Sequence, residues 1–238
     1  MADVRVFADA DELGAALAAD IVARYDRSSG SFLLGCPGGR SLRTTYRALA
    51  ALKPDLSRCT VVMMDEYVPV PDVRAQHSCR GFAQREICAP LRLSDEQLWL
   101  PDPEAAAAYD ERIAAAGGID VFLLASGASD GHVAFLPPGS PRDGRTSVVR
   151  LADSTRRDNL RTFPHFGSVD EVPAHGVSVG LATIADARSV RLVLHGADKR
   201  DAAAKVTSLR DFDPSWPASV VHVCRDAEIW LDREAAAA

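Results

Sequence analysis

Short apolar runs recur along the chain, separated by stretches long enough to hold a helix. Residues 4–7, 32–35, 60–64, 121–124, 190–194 and 220–224 have the length and continuity of strands buried on both faces. Between them the spacing turns helical. In residues 11–25, Leu13, Leu17, Ile21 and Val22 fall on one face; residues 41–52 begin at a serine suited to cap a helix; residues 104–116 are rich in alanine. Strand and helix in alternation predict an α/β fold with a mostly parallel sheet covered on both faces. Residues 1–238 read as one domain, a length at which such folds often stay undivided.

Composition narrows the function. The chain is 47% hydrophobic and 25% charged, as in ordinary globular proteins. A formal charge of -6 argues against a general nucleic-acid or anionic-membrane surface and leaves room for a local basic pocket that takes a small anion. Cys36, Cys59, Cys79, Cys88 and Cys224 are odd in number and lack CxxC spacing, so neither a disulfide framework nor a metal site is expected. The first residues lack the basic and apolar segments of a signal peptide, and no apolar run is long enough to span a bilayer. A cytoplasmic location is the expectation. The alanines at 235–238 are expected to fray.

The chemistry gathers in loops, chiefly residues 35–41, 65–77 and 125–145, with a fourth stretch, 154–173, that fits no element clearly. Gly35-Cys36-Pro37-Gly38-Gly39-Arg40-Ser41 follows a strand and opens a helix. It suits a phosphate cradle built on backbone N–H groups, and equally a plain strand–helix turn. Asp65, Glu66 and Tyr67 close a buried strand where parallel sheets present residues to a ligand crevice; a solvated acidic loop reads the same way. Asp130 and His132 lie two residues apart in a glycine-rich loop after another strand, a spacing suited to proton transfer. Gly127 to Gly131 also matches GxSxG, but Pro137 and Pro138 exclude the helix that a nucleophile elbow requires. Arg156, Arg157, Arg161 and Lys199 are candidate phosphate ligands, although such side chains are more often solvated. The other histidines, His77, His165, His175, His195 and His222, show no metal-ligand spacing.

Taken in order, Pro37-Gly38-Gly39-Arg40-Ser41, Met64-Asp65-Glu66-Tyr67, Asp130-Gly131-His132-Val133-Ala134-Phe135, residues 154–163, Val172-Pro173 and residues 176–180 resemble the glucosamine-6-phosphate deaminase and 6-phosphogluconolactonase superfamily. The likeness covers nearly the whole chain and implies a Rossmann-like three-layer sandwich. It assigns proton transfer between C1 and C2 of an open-chain sugar to Asp65 and assistance to ring opening to His132 with Asp130. It implies a phosphate site of Gly38, Gly39, Arg40, Ser41, Arg161 and Lys199, with Arg40 where a glycine or serine is usual. Pro137 stands where the deaminases carry a glutamate, and residues 134–141 and 228–233 lean toward the lactonases.

The function so implied is an aldose–ketose isomerase, deaminating or not, acting on a phosphorylated sugar or amino sugar without metal or redox cofactor. A sugar-phosphate lactonase, with His132 activating water, is the alternative. A binding protein that has lost turnover is the third reading. The oligomeric state is not legible.

Overall fold

The computed structural model describes residues 1–72 and 76–237. Of the loop expected over 65–77, residues 73–75 therefore lie outside the described residues. The first half of the main sheet comprises β1 (Asp3–Phe7), β2 (Phe32–Cys36), β3 (Cys59–Met63) and, after the short β4 (Asp65–Val68) of a second sheet, β5 (Leu98–Trp99). The helices of this half are α1 (Ala10–Arg27), α2 (Arg43–Leu52), α3 (Cys79–Ala83), α4 (Ala89–Leu91) and α5 (Ala106–Ala115). The second half runs β6 (Val121–Ala125), β7 (Ser147–Arg150), α6 (Asp153–Thr162), β8 (His175–Ser178), α7 (Leu181–Ala185), β9 (Val190–Leu194), α8 (Arg200–Ser208), β10 (Ala227–Asp232) and α9 (Arg233–Ala236).

Seven strands form a parallel sheet in the order β1-β10-β9-β6-β2-β3-β5. From β2 the chain winds outward through β3 and β5, then crosses back to place β6 on the other side of β2 and winds on to β9 and β10. The winding direction thus reverses between β2 and β6, and a crevice opens at such a point beyond the carboxyl ends of the strands. Alternate residues feed the two helical layers. Phe32, Leu34, Val61, Val121 and Leu123 join one core and Leu33, Val62, Phe122 and Leu124 the other. That two-sided burial is why these strands read as unbroken apolar runs.

Helix α1 shows how local sequence sets an element. Asp9 caps it by accepting from the backbone N–H groups of Asp11 and Glu12, and Glu12 accepts from Ala8 N. Leu13, Leu17, Ile21 and Tyr25 then bury one face.

A smaller antiparallel sheet, β4-β8-β7, stands beside the first. Met64 joins the two: its N–H donates to Cys36 O at 3.3 Å, at the end of β2, and its carbonyl accepts from Val179 N at 2.8 Å, just past β8. One residue later Asp65 begins β4.

Several expectations need correction. Residues 220–224 are not a strand: 220–223 belong to a 3-10 helix, Pro217–Val223, which Pro217 opens and Cys224 follows; the last strand is β10. A short buried apolar run has no period that separates the two, and here His222 bonds Val206 O and Ala2 N instead of joining a ladder. Ser41 does not cap a helix over 41–52: a 3-10 turn, Arg40–Leu42, precedes α2, whose N-cap is Leu42. Residues 65–68 form a strand instead of a loop. The unassigned stretch 154–173 begins within α6, Asp153–Thr162, and later holds a 3-10 turn, Val169–Glu171. Ala235 is buried in α9, whose first turn Asp232 caps, while Ala236 and Ala237 are exposed.

Candidate functional site

A cavity lies at the carboxyl ends of β2, β3, β6 and β9, where the winding reverses. Each strand hands it a loop. After β2 come Pro37 to Leu42, tethered below by the Tyr46 hydroxyl, which donates to Pro37 O at 3.0 Å. On the cavity side, His195 Nε2 donates to Ser41 O at 3.0 Å. A carbonyl only accepts, so this nitrogen carries a proton. Gly38, Gly39, Arg40 and Ser41 all line the cavity, as expected of a phosphate cradle.

Asp65 faces the same space from the seam between the sheets and is only 5% exposed. Burial pushes its carboxyl up to about 7; a hydrogen bond from the Cys79 thiol, 3.3 Å from Oδ1, works against this, and the neighbouring Glu66 adds to it. A carboxyl of that kind exchanges a proton readily near neutral pH. Glu66, its neighbour in sequence, does something else. Its carboxylate accepts from the backbone N–H groups of Tyr67, Cys79 and Arg80 at 2.9–3.0 Å, holding the first turn of α3 against β4. The crevice expected to receive both carboxylates receives only Asp65.

The loop after β6 folds back on itself without a helix, with Gly127 N donating to His132 O at 2.8 Å. Gly127 is required by close approach, since a Cβ there would overlap His132 Nδ1 and Asp130 Oδ1. Gly131 takes φ +64, with Trp216 packed where a side chain would stand. The result sets His132 Nδ1 2.8 Å from Asp130 Oδ1, while the Ser154 hydroxyl donates to Asp130 Oδ2. Burial alone would raise Asp130, but the bond and charge of His132 and the Ser154 hydroxyl outweigh it, holding the carboxyl well below the usual range. An ionised Asp130 fixes the proton on Nδ1, so Nε2 is the nitrogen left for a ligand. His132 lines the cavity and Asp130 supports it from behind.

Lys199 reaches in from the turn after β9, its Nζ donating to Ser126 O at 2.7 Å. Desolvation lowers its pKa, Asp158 and Asp198 oppose that, and Arg40 contributes to it. The remaining wall is α6, which presents Thr155, Asp158, Asn159 and Thr162. Arg161 belongs to the same helix but is exposed and does not line the cavity.

Sequence reasoning missed His195 and the α6 wall. The α6 residues recur at steps of three, one and three, a single helical face, but a polar face inside a stretch of uncertain structure reads as solvated. For His195 the sequence offers no signal beyond its place after a buried strand. Among the described residues, no group of three or more His, Cys, Asp or Glu is placed to hold a metal, and no helix is long and apolar enough to cross a membrane.

The family model for glucosamine-6-phosphate isomerases/6-phosphogluconolactonase matches residues 8–230. The glucosamine-6-phosphate deaminase of Pseudarthrobacter chlorophenolicus is 36% identical over 236 residues, covering 93% of this chain and 87% of its own. That of Corynebacterium urealyticum is 37% identical over 230 residues, with 93% and 87% covered. Among solved structures, a monomeric glucosamine-6-phosphate deaminase matches with a TM-score of 0.89 and 27% identity over 98% of both chains. The 6-phosphogluconolactonase from Leishmania guyanensis matches with a TM-score of 0.74 and 18% identity, over 100% of this chain and 98% of its own, which shows a shared fold alone.

Proposed function

This chain belongs to the glucosamine-6-phosphate isomerase/6-phosphogluconolactonase family, and we propose that within it the chain is an aldose–ketose isomerase acting on a phosphorylated sugar or amino sugar. The observation that carries this is Asp65: a buried carboxyl raised to about 7, lining the same cavity as His132 and the Gly38 to Ser41 loop. Isomerisation needs a base that moves a proton between C2 and C1, an acid at the ring oxygen and an anchor at the far end. Asp65 supplies the first. His132, oriented by Asp130, takes the anomeric hydroxyl proton on Nε2 and passes it to the ring oxygen as the C1–O bond opens. Backbone N–H groups of residues 38–41, with the Ser41 hydroxyl and Lys199, hold the phosphate. Arg40 adds charge at the rim, whereas Arg161, exposed on α6, would reach the phosphate only by turning inward.

The relatives' names favour an amino sugar, whose C2 amine leaves as ammonia when water replaces it. Pro137 points the other way. It does not line the cavity, and its carbonyl is taken by Ser140 N at 3.1 Å and Ser140 Oγ at 2.7 Å, so this position supplies no proton relay. The same residue favours the second reading, a sugar-phosphate lactonase in which His132 activates water. We propose a cytoplasmic location and a single catalytic domain for either.

The deciding experiment incubates the protein with hexose, heptose and amino-sugar phosphates and with 6-phosphogluconolactone, following ketose formation, ammonia and lactone loss separately. Ketose formation is the expected result. Lactone loss alone would install the second reading, and binding without turnover would overturn both enzymatic ones.

A further inference from the structure

Beneath the cavity floor, the Cys79 sulfur lies 3.3 Å from Asp65 Oδ1. Its residue is 2% exposed. We propose that Cys79 is a positioning residue for the proton transfer: its thiol pins Oδ1 and presents Oδ2 to the substrate carbon. The inference rests on the reading of Asp65 as the base.

The direction of the bond is fixed by chemistry. A carboxylate only accepts, and burial together with Glu66 and Asp65 holds the thiol protonated, so Cys79 donates. Its backbone is fixed as well. Cys79 N donates to Glu66 Oε1 at 3.0 Å, and Ser78, the N-cap of α3, accepts from Gly81 N at 2.8 Å. A Cβ on Gly38 would stand 3.8 Å from the same sulfur, which therefore underlies both the base and the phosphate loop. Carboxylate and thiol belong to the first residues of β4 and of α3, and no motif in the sequence joins them.

Other groups bear on Asp65 too. Glu66 adjoins it on β4, and Tyr46 of α2, Tyr109 of α5 and Tyr67 are close enough to feel its charge. Around the cavity stand His132, Arg40, Lys199 and His195, with the carboxylates of Asp158 and Asp198. Of these, Glu66 and Tyr67 also interact with the thiol, so the Asp65 carboxyl is read directly by NMR. The thiol stabilises the ionised form, so its loss raises the Asp65 pKa further, and the acid limb of kcat/KM moves to higher pH.

The test compares Cys79→Ala and Cys79→Ser with the parent protein in two measurements: the pH profile of kcat/KM on a turned-over sugar phosphate, and NMR titration of the 13C-labelled Asp65 carboxyl without substrate. Cys79→Ala should move both by roughly one pH unit upward, the scale of a lost hydrogen bond to a buried carboxylate. Cys79→Ser, close in shape and able to donate, should bring both back toward the parent. An unmoved NMR titration in folded Cys79→Ala overturns the role of Cys79 and leaves Asp65 as base. A moved titration beside an unmoved kinetic limb overturns Asp65 as base, and the proposed function with it.

Discussion

Burial, full at Asp65 and partial at Asp130, ends in opposite effects at these two aspartates. Asp130 is compensated by His132 and Ser154 and stays ionised; Asp65 has one weak thiol donor and a neighbouring carboxylate, and is raised to about 7. This has a thermodynamic cost with a definite sign. Unfolded, Asp65 ionises near 3.8, so between that value and about 7 the unfolded chain holds fewer protons and stability falls as pH rises. Asp65→Asn should therefore slow turnover by roughly 10²- to 10⁴-fold, the usual share of a positioned base. It should also be more stable than the parent, by an amount that grows to a few kcal/mol across this window, at about 1.36 kcal/mol for each pH unit crossed. Thermal melts at several pH values check this, and a parent-like pH dependence in the variant would refute it. At the phosphate end, Lys199→Ala should raise KM for the phosphorylated substrate at least tenfold, the scale of losing one charge-assisted contact. Arg161→Ala, at an exposed position, should change it far less. Equal losses would show that Arg161 turns inward on binding.

Elements differ in how plainly the sequence announces them. The buried strands β2, β3, β6 and β9 stand out because two-sided burial leaves a continuous apolar run, and their ends located Asp65, His132 and the loop of residues 38–41 in one cavity, with Asp130 behind His132. Residues 217–223 are equally apolar and buried, yet helical, because only tertiary hydrogen bonds such as His222 to Val206 O decide between the two. The small sheet was invisible for another reason: β4, β7 and β8 have four residues each and pair across long stretches of chain, so their register is a property of the fold. Between strands, the loop after β6 is tightly constrained at Gly127. Gly127→Ala should drive its Cβ into His132 and Asp130, costing about 1–3 kcal/mol of stability as overpacking does. Because the collision displaces the imidazole, kcat should fall more than KM changes, which steady-state kinetics would detect. A variant with parent kinetics would show that the pair need not hold this geometry.

For the whole molecule, the sheet order places the cavity and the loops furnish it, and both branches of the family share the fold. What separates them is local, so the overall likeness does not choose the substrate. With Pro137 outside the cavity, ammonia release from glucosamine 6-phosphate should run below the ordinary enzymatic range, kcat of about 1 to 10³ s⁻¹, while another sugar phosphate is isomerised faster. A coupled ammonia assay decides it, and a rate inside that range would show that no carboxylate at this position is needed. The formal charge of -6 belongs to the same scale. It repels anions at a distance, so capture of a phosphate depends on the few cationic and N–H groups at the cavity mouth.

Met64, which gives its N–H to one sheet and its carbonyl to the other, stands immediately before Asp65. The peptide that carries the base therefore cannot swing without surrendering a bond to Cys36 or to Val179. Amides locked in this way exchange with solvent only through large-scale opening. In deuterated buffer the Met64 and Val179 amides should rank among the slowest in the protein, long outlasting those of the 134–145 loop. Rapid exchange at Met64 would mean that the junction breathes on its own. Slow exchange would mean that the carboxyl is already aimed before any sugar arrives, and that whatever closes around the ligand must come from elsewhere along the chain.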